Sequence, residues 1–235
     1  MRKIIFVLFL LAFLTGVKTM AQAQYGTWTS VGVEKKLGKW KLEADTEIRT
    51  IYYLRLINRW SIGLDAEYKI AKPLEVGLSY TLMNVLDQKY LNYQFRNRFN
   101  VGITGKQKWG RFDFSLSEGL QLTTKNASKR IDDYGNTDTY KINPALMWKN
   151  SMQAEYDIPK SKLTPGGEIE SYYELNNPDG NKFDKLRYSL FLKYKINKHN
   201  SLKLAGIYND ELGTDDADYS GKYIVDLKFS HTLNN

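Results

Sequence analysis

Five arginines stand at positions where their side chains share one face of a predicted strand. Each lies in a run in which polar and apolar residues alternate, and alternation with period two puts the two kinds on opposite faces. A guanidinium can bind a carboxylate or a phosphate through two parallel hydrogen bonds. If these strands form a membrane-spanning barrel, the arginines would have one of two roles inside it. They would pair with carboxylates such as Glu47 and Glu174, or they would line an outer vestibule that binds an anionic solute or a lipopolysaccharide phosphate. The arginines are Arg49, Arg59, Arg96, Arg98 and Arg187.

Three polar residues interrupt the apolar faces of the same strands, namely Glu118, Asn150 and Ser171. The strand order predicts that Glu118 lies opposite Asn150 near mid-membrane, with Ser171 diagonal to Asn150. A carboxylate facing lipid there costs about one to a few kcal/mol. Such a polar notch would be a protomer contact or a groove for a ligand tail. The alternative, which we favour, is a bulge at Gly119 that turns Glu118 inward.

The residue types that carry most catalytic chemistry are scarce in this chain. There is no cysteine, and the two histidines, His199 and His231, fall at the predicted rim with short turns. A lipid- or peptide-acting hydrolase would need its nucleophile and base at the opposite rim. The carboxylates of two polar segments do not match an EF-hand loop, so we expect solvated loops, no metal and no cofactor. They are Asp132, Asp133, Asp138, Asp215, Asp216 and Asp218.

The alternating segments must position these residues, and they predict an all-β fold. The clearest is Arg59 to Leu82, where two alternating runs flank a turn at Ala71-Lys72-Pro73. Eleven such segments follow one another, with short turns on one side and longer polar connections on the other, which is typical of outer-membrane barrels. We therefore predict a transmembrane antiparallel up-and-down β-barrel of 10–12 strands. Because single-chain bacterial barrels have even strand numbers, we expect ten or twelve.

The N-terminus and the charge bound the location of the chain. Arg2 and Lys3 precede an apolar run and an Ala21-Gln22-Ala23 site, which predicts a cleaved signal peptide over residues 1–23 and a barrel domain over residues 24–235. Cleavage would also remove Lys18, so the formal net charge would fall from +8 to +5. This excess is not concentrated in a basic arm, and we expect no nucleic-acid partner.

The chain resembles an uncharacterised family of bacterial outer-membrane β-barrels, a domain of unknown function. The resemblance implies an integral outer-membrane location and no established activity. The expected function is a non-enzymatic structural or surface-interaction barrel or a narrow channel, and the alternative is a small-solute porin. Expected partners are outer-membrane lipids, lipopolysaccharide and, during insertion, the barrel-assembly machinery, with the oligomeric state open. The similarity is carried by Trp28, Glu47-Ile48-Arg49, the run from Arg59 to Leu64, the run from Gly77 to Tyr80, and the run from Arg96 to Phe99.

Overall fold

The computed structural model describes residues 25–52, 54–212 and 222–234, so the predicted signal peptide lies outside the described residues. All the regular elements in these ranges are strands. The same ranges contain no helix long and apolar enough to cross a membrane. The strands are β1 (Tyr25–Leu37), β2 (Trp40–Ile51), β3 (Leu56–Ala71), β4 (Leu74–Asp87), β5 (Asn92–Trp109), β6 (Phe112–Lys125), β7 (Ala145–Tyr156), β8 (Leu163–Glu174), β9 (Phe183–Lys195), β10 (Asn200–Glu211) and β11 (Tyr223–Thr232).

The strands form one closed barrel in which every consecutive pair is antiparallel. The barrel closes between β1 and β11, which run parallel from the pair Tyr25 and Tyr223 to the pair Glu34 and Thr232. The predicted barrel of 10–12 strands is confirmed, but the narrower expectation of ten or twelve is wrong for the described chain, in which β1 is a full strand and eleven strands complete the wall. A parallel ladder satisfies the backbone groups of both edges, so closure does not require an even number. Tyr25 and Thr232 consequently lie at opposite ends.

The connections define two ends of the barrel, which we call the turn end and the loop end. The turn end carries residues 38–39, 72–73, 110–111, 157–162 and 196–199. The loop end carries residues 88–91, 126–144 and 175–182, which the structure describes throughout. The predicted contrast between short turns and longer connections is present among these, although residues 88–91 form a short connection.

Glycine and proline, which favour turns, fall inside strands at two places near the turn end. Gly105 does not start a turn, because β5 continues to Trp109 and Gly105 pairs with both Leu74 and Leu116. Likewise Pro165 lies inside β8, paired with Leu192. The β5–β6 hairpin therefore extends further at the turn end than the alternation alone indicated.

The outer surface of the wall is an apolar belt. Leu78, Leu116 and Leu190 are 61%, 57% and 65% exposed, although each lies within a strand. Their neighbours in sequence point into the lumen and are mostly polar. Leaving this much apolar surface exposed to water would be unfavourable, whereas a lipid environment accommodates it without penalty. The outer face therefore has the character of a barrel surrounded by lipid.

Aromatic pairs border the belt at both ends. At the turn end, the rings of Trp40 and Tyr68 lie 4.8 Å apart. At the loop end, the rings of Tyr208 and Tyr223 lie 5.3 Å apart. Amphipathic rings are enriched where hydrocarbon meets water, because they bury an apolar body and keep a polar edge hydrated. The two pairs therefore have the positions of interfacial aromatic girdles.

Candidate functional site

The loop-end half of the lumen is filled by packed side chains. These side chains come from strands on several sides of the barrel, so they meet across the lumen rather than along one wall. Apolar and polar groups are mixed in the layer. Members that are at most 2% exposed include Ile51, Met83, Gln94, Arg96 and Asn209.

The longest connection, residues 126–144, is anchored to the barrel mouth by three residues, which we call the latch: Asp87, Arg130 and Tyr140. Arg130 Nε lies 2.9 Å from Asp87 Oδ2, and the two side chains are only 8% and 6% exposed. Tyr140 Oη donates a hydrogen bond to the same carboxylate oxygen at 3.1 Å. The Arg130 guanidinium also stacks 4.0 Å from the centre of the Tyr140 ring. The latch fixes the loop to the last residue of β4.

Arg130 is held by charge and stacking more than by hydrogen bonds. Its Nε and Nη1 atoms are buried and have no hydrogen-bond acceptor in suitable geometry among the described residues. The contact with Asp87 is therefore an ion pair and not a hydrogen bond, because the Arg130 Nε–H does not point at the Asp87 oxygen. A buried cation of this kind depends on its carboxylate partner for its stability.

A second set of contacts holds the outer edge of the loop. Asp138 Oδ2 accepts hydrogen bonds from Lys89 Nζ at 2.8 Å and from Tyr90 Oη at 2.7 Å. The hydrogen bond from Lys89 has the larger effect and that from Tyr90 the next, and together they lower the pKa of Asp138 below its ordinary value. Burial raises the pKa of Tyr140, which lies inside this cluster, above its ordinary value. The short β4–β5 connection and the long loop are thus bound to each other.

The turn-end half of the lumen is a cavity of about 1360 Å³. Its lining runs from Lys72 and Lys108 at the turn end to Gln121 and Tyr172 deeper in the barrel. No residue of the 126–144 loop contributes to the lining. The packed layer and the latch lie between the cavity and the loop end. The cavity therefore opens toward the turn end.

The five predicted arginines gather where the cavity meets the packed layer. Arg49, Arg59, Arg98 and Arg187 line the closed end of the cavity. Arg96 lies beyond it, 2% exposed, with Nη2 donating to Tyr140 Oη at 3.4 Å. The structure therefore brings the five together, but the cavity they border faces the turn end. Their predicted role in binding an anion stays a prediction.

Two carboxylates organise the cations at this level. Glu47 accepts hydrogen bonds from Arg49 Nε, at 2.7 Å, and from Arg59 Nη2. Across the lumen, Glu170 accepts from Arg187 Nη1 at 3.0 Å and lies 2.5 Å from Lys149 Nζ. Pairing through Glu47 agrees with the cross-pairing interpretation.

Glu174, the other carboxylate named as a partner, does not serve that role. Its Oε2 atom instead accepts a hydrogen bond from Asn177 Nδ2 at 2.5 Å. Glu174 ends β8, four positions nearer the loop end than Glu170, and so lies above the arginine level. The register of β8 against β9 decides this, because it pairs Glu170 directly with Arg187.

Trp28 is a lumen residue that the sequence reasoning did not assign to the site. Its ring lies 3.4 Å from the Arg49 guanidinium and 4.9 Å from that of Arg187. Cations over an indole face are attracted by its quadrupole. With Phe191, Ile207 and two other buried residues it forms an apolar patch on one side of the lumen. Trp28 and Val31 are three positions apart, so they lie on opposite faces of β1. Because Val31 faces outward, this spacing could have predicted that Trp28 faces the lumen.

The three outward polar residues form a continuous row, which we call the polar row. Glu118 pairs directly with Asn150, and Asn150 pairs directly with Ser171. Ser171 is therefore opposite Asn150 and not diagonal to it. The predicted bulge is absent, because the register of β6 against both neighbours runs without a shift through Glu118 and Gly119. Glu118 is exposed on the outer face.

The unbroken register at this point depends on a glycine pair. Gly102 and Gly119 face each other across β5 and β6. A Cβ atom on Gly102 would lie 2.8 Å from the Glu118 carbonyl oxygen, and one on Gly119 would lie 2.7 Å from that of Val101. Glycine therefore permits a close approach of the two strands, and Gly119 has a packing role where a bulge was predicted.

The histidines and the loop carboxylates are engaged in local contacts. His199 Nδ1 lies 3.1 Å from the Thr232 carbonyl oxygen, and His231 Nδ1 lies 2.7 Å from Asn200 Oδ1, both at the turn end as predicted. Asp132 accepts backbone hydrogen bonds within its own loop. In residues 25–52, 54–212 and 222–234, no group of three or more His, Cys, Asp or Glu is arranged to hold a metal ion. The predicted cluster at residues 215–218 lies outside the described residues.

The closed all-β wall with its apolar belt defines the class of protein, a β-barrel of the outer-membrane kind. The chain belongs to the family described as "Protein of unknown function (DUF2490)", whose model matches residues 25–219. This match confirms the predicted family resemblance. A comparison with curated proteins found no match.

Solved structures share the architecture at low sequence identity. The beta domain of the Bordetella autotransporter BrkA is 9% identical, with a TM-score of 0.50 and 83% of each chain covered. A porin is 12% identical with a TM-score of 0.35, over 77% of this chain and 56% of its own. An anion-selective porin from Comamonas acidovorans is also 12% identical with a TM-score of 0.35, over 83% and 53%. The first likeness shows the fold alone.

Proposed function

We propose that this protein is a non-enzymatic integral barrel of the bacterial outer membrane, closed at its loop end in the conformation described. It is of structural or surface-interaction type, with the short turns on the periplasmic side. The apolar belt, the aromatic borders and the family support this location, and residues 1–23 would act as the export signal. Its surroundings would be outer-membrane lipids and lipopolysaccharide, with the barrel-assembly machinery as a transient partner during insertion.

The observation that carries the proposal is the latch. A side-chain layer alone leaves room for rearrangement, but Asp87, Arg130 and Tyr140 hold the 126–144 loop over that layer through a buried ion pair. The cavity beneath it is large and polar, yet it ends below the packed layer. An ion entering from the turn end would therefore meet buried, paired charge and not a continuous aqueous path.

Conductance across a planar bilayer tests this proposal. We expect the wild-type barrel to insert with no steady ion current at neutral pH. The variant Arg130→Gln should loosen the inner part of the loop and produce current, since it removes the cation that pairs with Asp87 and stacks on Tyr140, while Asp138 still holds the outer edge. Lys129→Gln is the matched control: it removes the same charge from the neighbouring exposed residue and should stay closed. Steady current through the wild type equal to that of Arg130→Gln would overturn the proposal.

A small-solute porin selective for anions is the second candidate function. The observation that favours it is the placement of four arginines around the closed end of a cavity of about 1360 Å³. If the loop moves, these cations would border the narrowest part of a continuous pore. In Arg130→Gln channels the ratio of chloride to potassium permeability should then exceed one. It should fall when Arg96 and Arg98 are also replaced by Ala, and an unchanged ratio would reject this candidate.

A further inference from the structure

The polar row is out of place on its own surface. Glu118 and Asn150 lie near the middle of β6 and β7, and Ser171 is in register with Asn150 on β8. The row is therefore surrounded by an apolar ring, in the part of the wall that faces lipid hydrocarbon. The outward residues above and below it on the three strands are Leu116, Leu120, Trp148, Met152, Ile169 and Tyr173.

The row also keeps unused hydrogen-bonding capacity. Within the described ranges, the Glu118 carboxylate makes no hydrogen bond or ion pair. The Asn150 Oδ1 atom is buried and accepts no hydrogen bond there. Lipid chains supply no donors or acceptors to compensate.

Another outward amide shows that this wall can satisfy such groups internally. Asn97 on β5 accepts a hydrogen bond from Tyr80 Oη at 2.8 Å and contacts Thr124 Oγ1 through Nδ2 at 3.4 Å. Both partners are outward residues of the adjacent strands. The members of the polar row are neighbours on adjacent strands, but in the described chain their side chains make no hydrogen bonds with one another, and apolar side chains surround them. The capacity of the row is left for a group outside the barrel.

We propose that the polar row is the contact through which a second copy of this chain docks, about a two-fold axis that runs along the membrane normal beside Asn150. A two-fold contact uses the same patch on both copies. Asn150 then meets Asn150 of the second copy. The order of the row is reversed across the axis, so Glu118 of each copy faces the side on which the other carries Ser171.

The chemistry of the row is self-complementary in this arrangement. An asparagine amide is both donor and acceptor, and a half-turn of the amide brings either atom outward, so two Asn150 side chains can bond reciprocally. Because barrel strands are tilted, Glu118 and Ser171 lie at different heights, so the reciprocal Asn150 bond carries the contact and the other two residues flank it. The row thus offers an acceptor at one end, a donor at the other and an amide between them.

Depth in the membrane favours a second copy over any other occupant. A copy inserted in the same orientation presents its own row at the same height, with no further requirement on sequence. The exposed Leu116 and Met152, each 57% accessible, would then pack around the polar centre. This inference depends on the barrel lying in a membrane but not on whether its lumen conducts.

Cysteine crosslinking in native outer membranes tests the contact. The chain has no cysteine, so Asn150→Cys introduces a single thiol, and on the axis the two thiols of a dimer would be adjacent. We expect an oxidant to give a disulfide-linked dimer in most molecules. Leu64→Cys, on β3 and 55% exposed, is the matched control away from the row and should remain monomeric. An absence of dimer for Asn150→Cys, an equal yield for Leu64→Cys, or crosslinking to a different polypeptide would overturn the proposal.

A second variant removes the hydrogen bonds without introducing a thiol. Glu118→Leu with Asn150→Leu should convert dimers into monomers when subunits are counted by single-molecule photobleaching in native nanodiscs. The apolar replacements suit a lipid-facing position, and heat-modifiable gel migration should show that the barrel still folds. A folded double variant that remains as dimeric as the wild type would also overturn the proposal. The conductance result does not enter either readout.

Discussion

Asp87 and Arg130 form a buried ion pair between the last residue of β4 and the 126–144 loop, with 2.9 Å between Oδ2 and Nε. The two residues are 43 positions apart in sequence and meet only because β4, β5 and β6 are adjacent in the barrel. This contact distinguishes a barrel with a covered mouth from one with a free loop.

Removal of Asp87 should strongly destabilise the loop end. Asp87→Ala would leave the buried Arg130 cation with only the longer 3.5 Å contact to Asp138, and loss of a buried pair costs about 3–5 kcal/mol of unfolding free energy. Urea unfolding of the protein in lipid vesicles measures the change. Asp113→Ala is the control, because its pair with Lys108 is 3.5 Å long and more than half exposed. That substitution should change the free energy by about 0–1 kcal/mol. Equal unfolding midpoints for Asp87→Ala and the wild type would contradict the burial argument.

Replacing Glu47 should be as costly as breaking the latch. One carboxylate serves both Arg49 and Arg59, so Glu47→Gln would leave two buried guanidinium groups without a counter-charge and cost about 3 kcal/mol or more. Glu75→Gln provides the comparison, since its partner Lys106 is 49% exposed and hydrated. The same urea titration should show a loss of less than about 1 kcal/mol for the control. Similar losses for both would mean that solvent reaches Glu47 freely.

Acid should loosen the outer edge of the long loop, but only at low pH. The hydrogen bonds from Lys89 and Tyr90 lower the pKa of Asp138 below its ordinary value of 3.8. The stabilisation is therefore fully present above about pH 4 and is lost as the pH falls through the lower folded-state value. A spin label at Tyr134→Cys, a site 90% exposed in the loop, should gain mobility only in that range. With Asp138→Asn the acid-dependent gain should disappear, and a gain between pH 7 and 5 in the wild type would contradict the assignment.

The glycine pair between β5 and β6 should not tolerate a side chain. Gly102→Ala would place Cβ about 2.8 Å from the Glu118 carbonyl oxygen, and forcing the strands apart should cost about 1–3 kcal/mol. Gly105→Ala lies on the same strand, where the nearest atom, the Leu116 carbonyl oxygen, is 3.9 Å away. Refolding yield, read as the heat-modifiable gel band, should fall for the first variant and not for the second. An equal yield would mean that the wall relaxes at this point.

Much of the fold could be predicted from local pattern. Trp60, Ile62 and Leu64 alternate with Arg59, Ser61 and Gly63, and the structure puts the two sets on opposite faces of β3. The same parity placed Arg49 and Arg96 on their correct faces, whereas the favoured expectation that a bulge turns Glu118 inward was wrong. Side-chain direction in a strand depends only on position within the strand, so the sequence is sufficient to predict it.

Closure and pairing could not be predicted in the same way. The parallel contact of Tyr25 with Tyr223 joins residues nearly 200 positions apart. The choice of Glu170 over Glu174 as the partner of Arg187 depends on a register that alternation does not reveal, since both residues have the same parity. A shift of two residues preserves every inside and outside assignment and changes every partner.

The sequence by itself thus determined the all-β class, the lipid-facing belt and the inward arginines, because each depends on period-two alternation. Only the tertiary structure decided the closing strand pair, the ion-pair partners, the latch across the loop end and the alignment of Glu118, Asn150 and Ser171 in one row. These features depend on backbone register and on contacts between residues far apart in the chain. Local periodicity encodes neither the register nor the distant contacts. Both are fixed when the barrel closes.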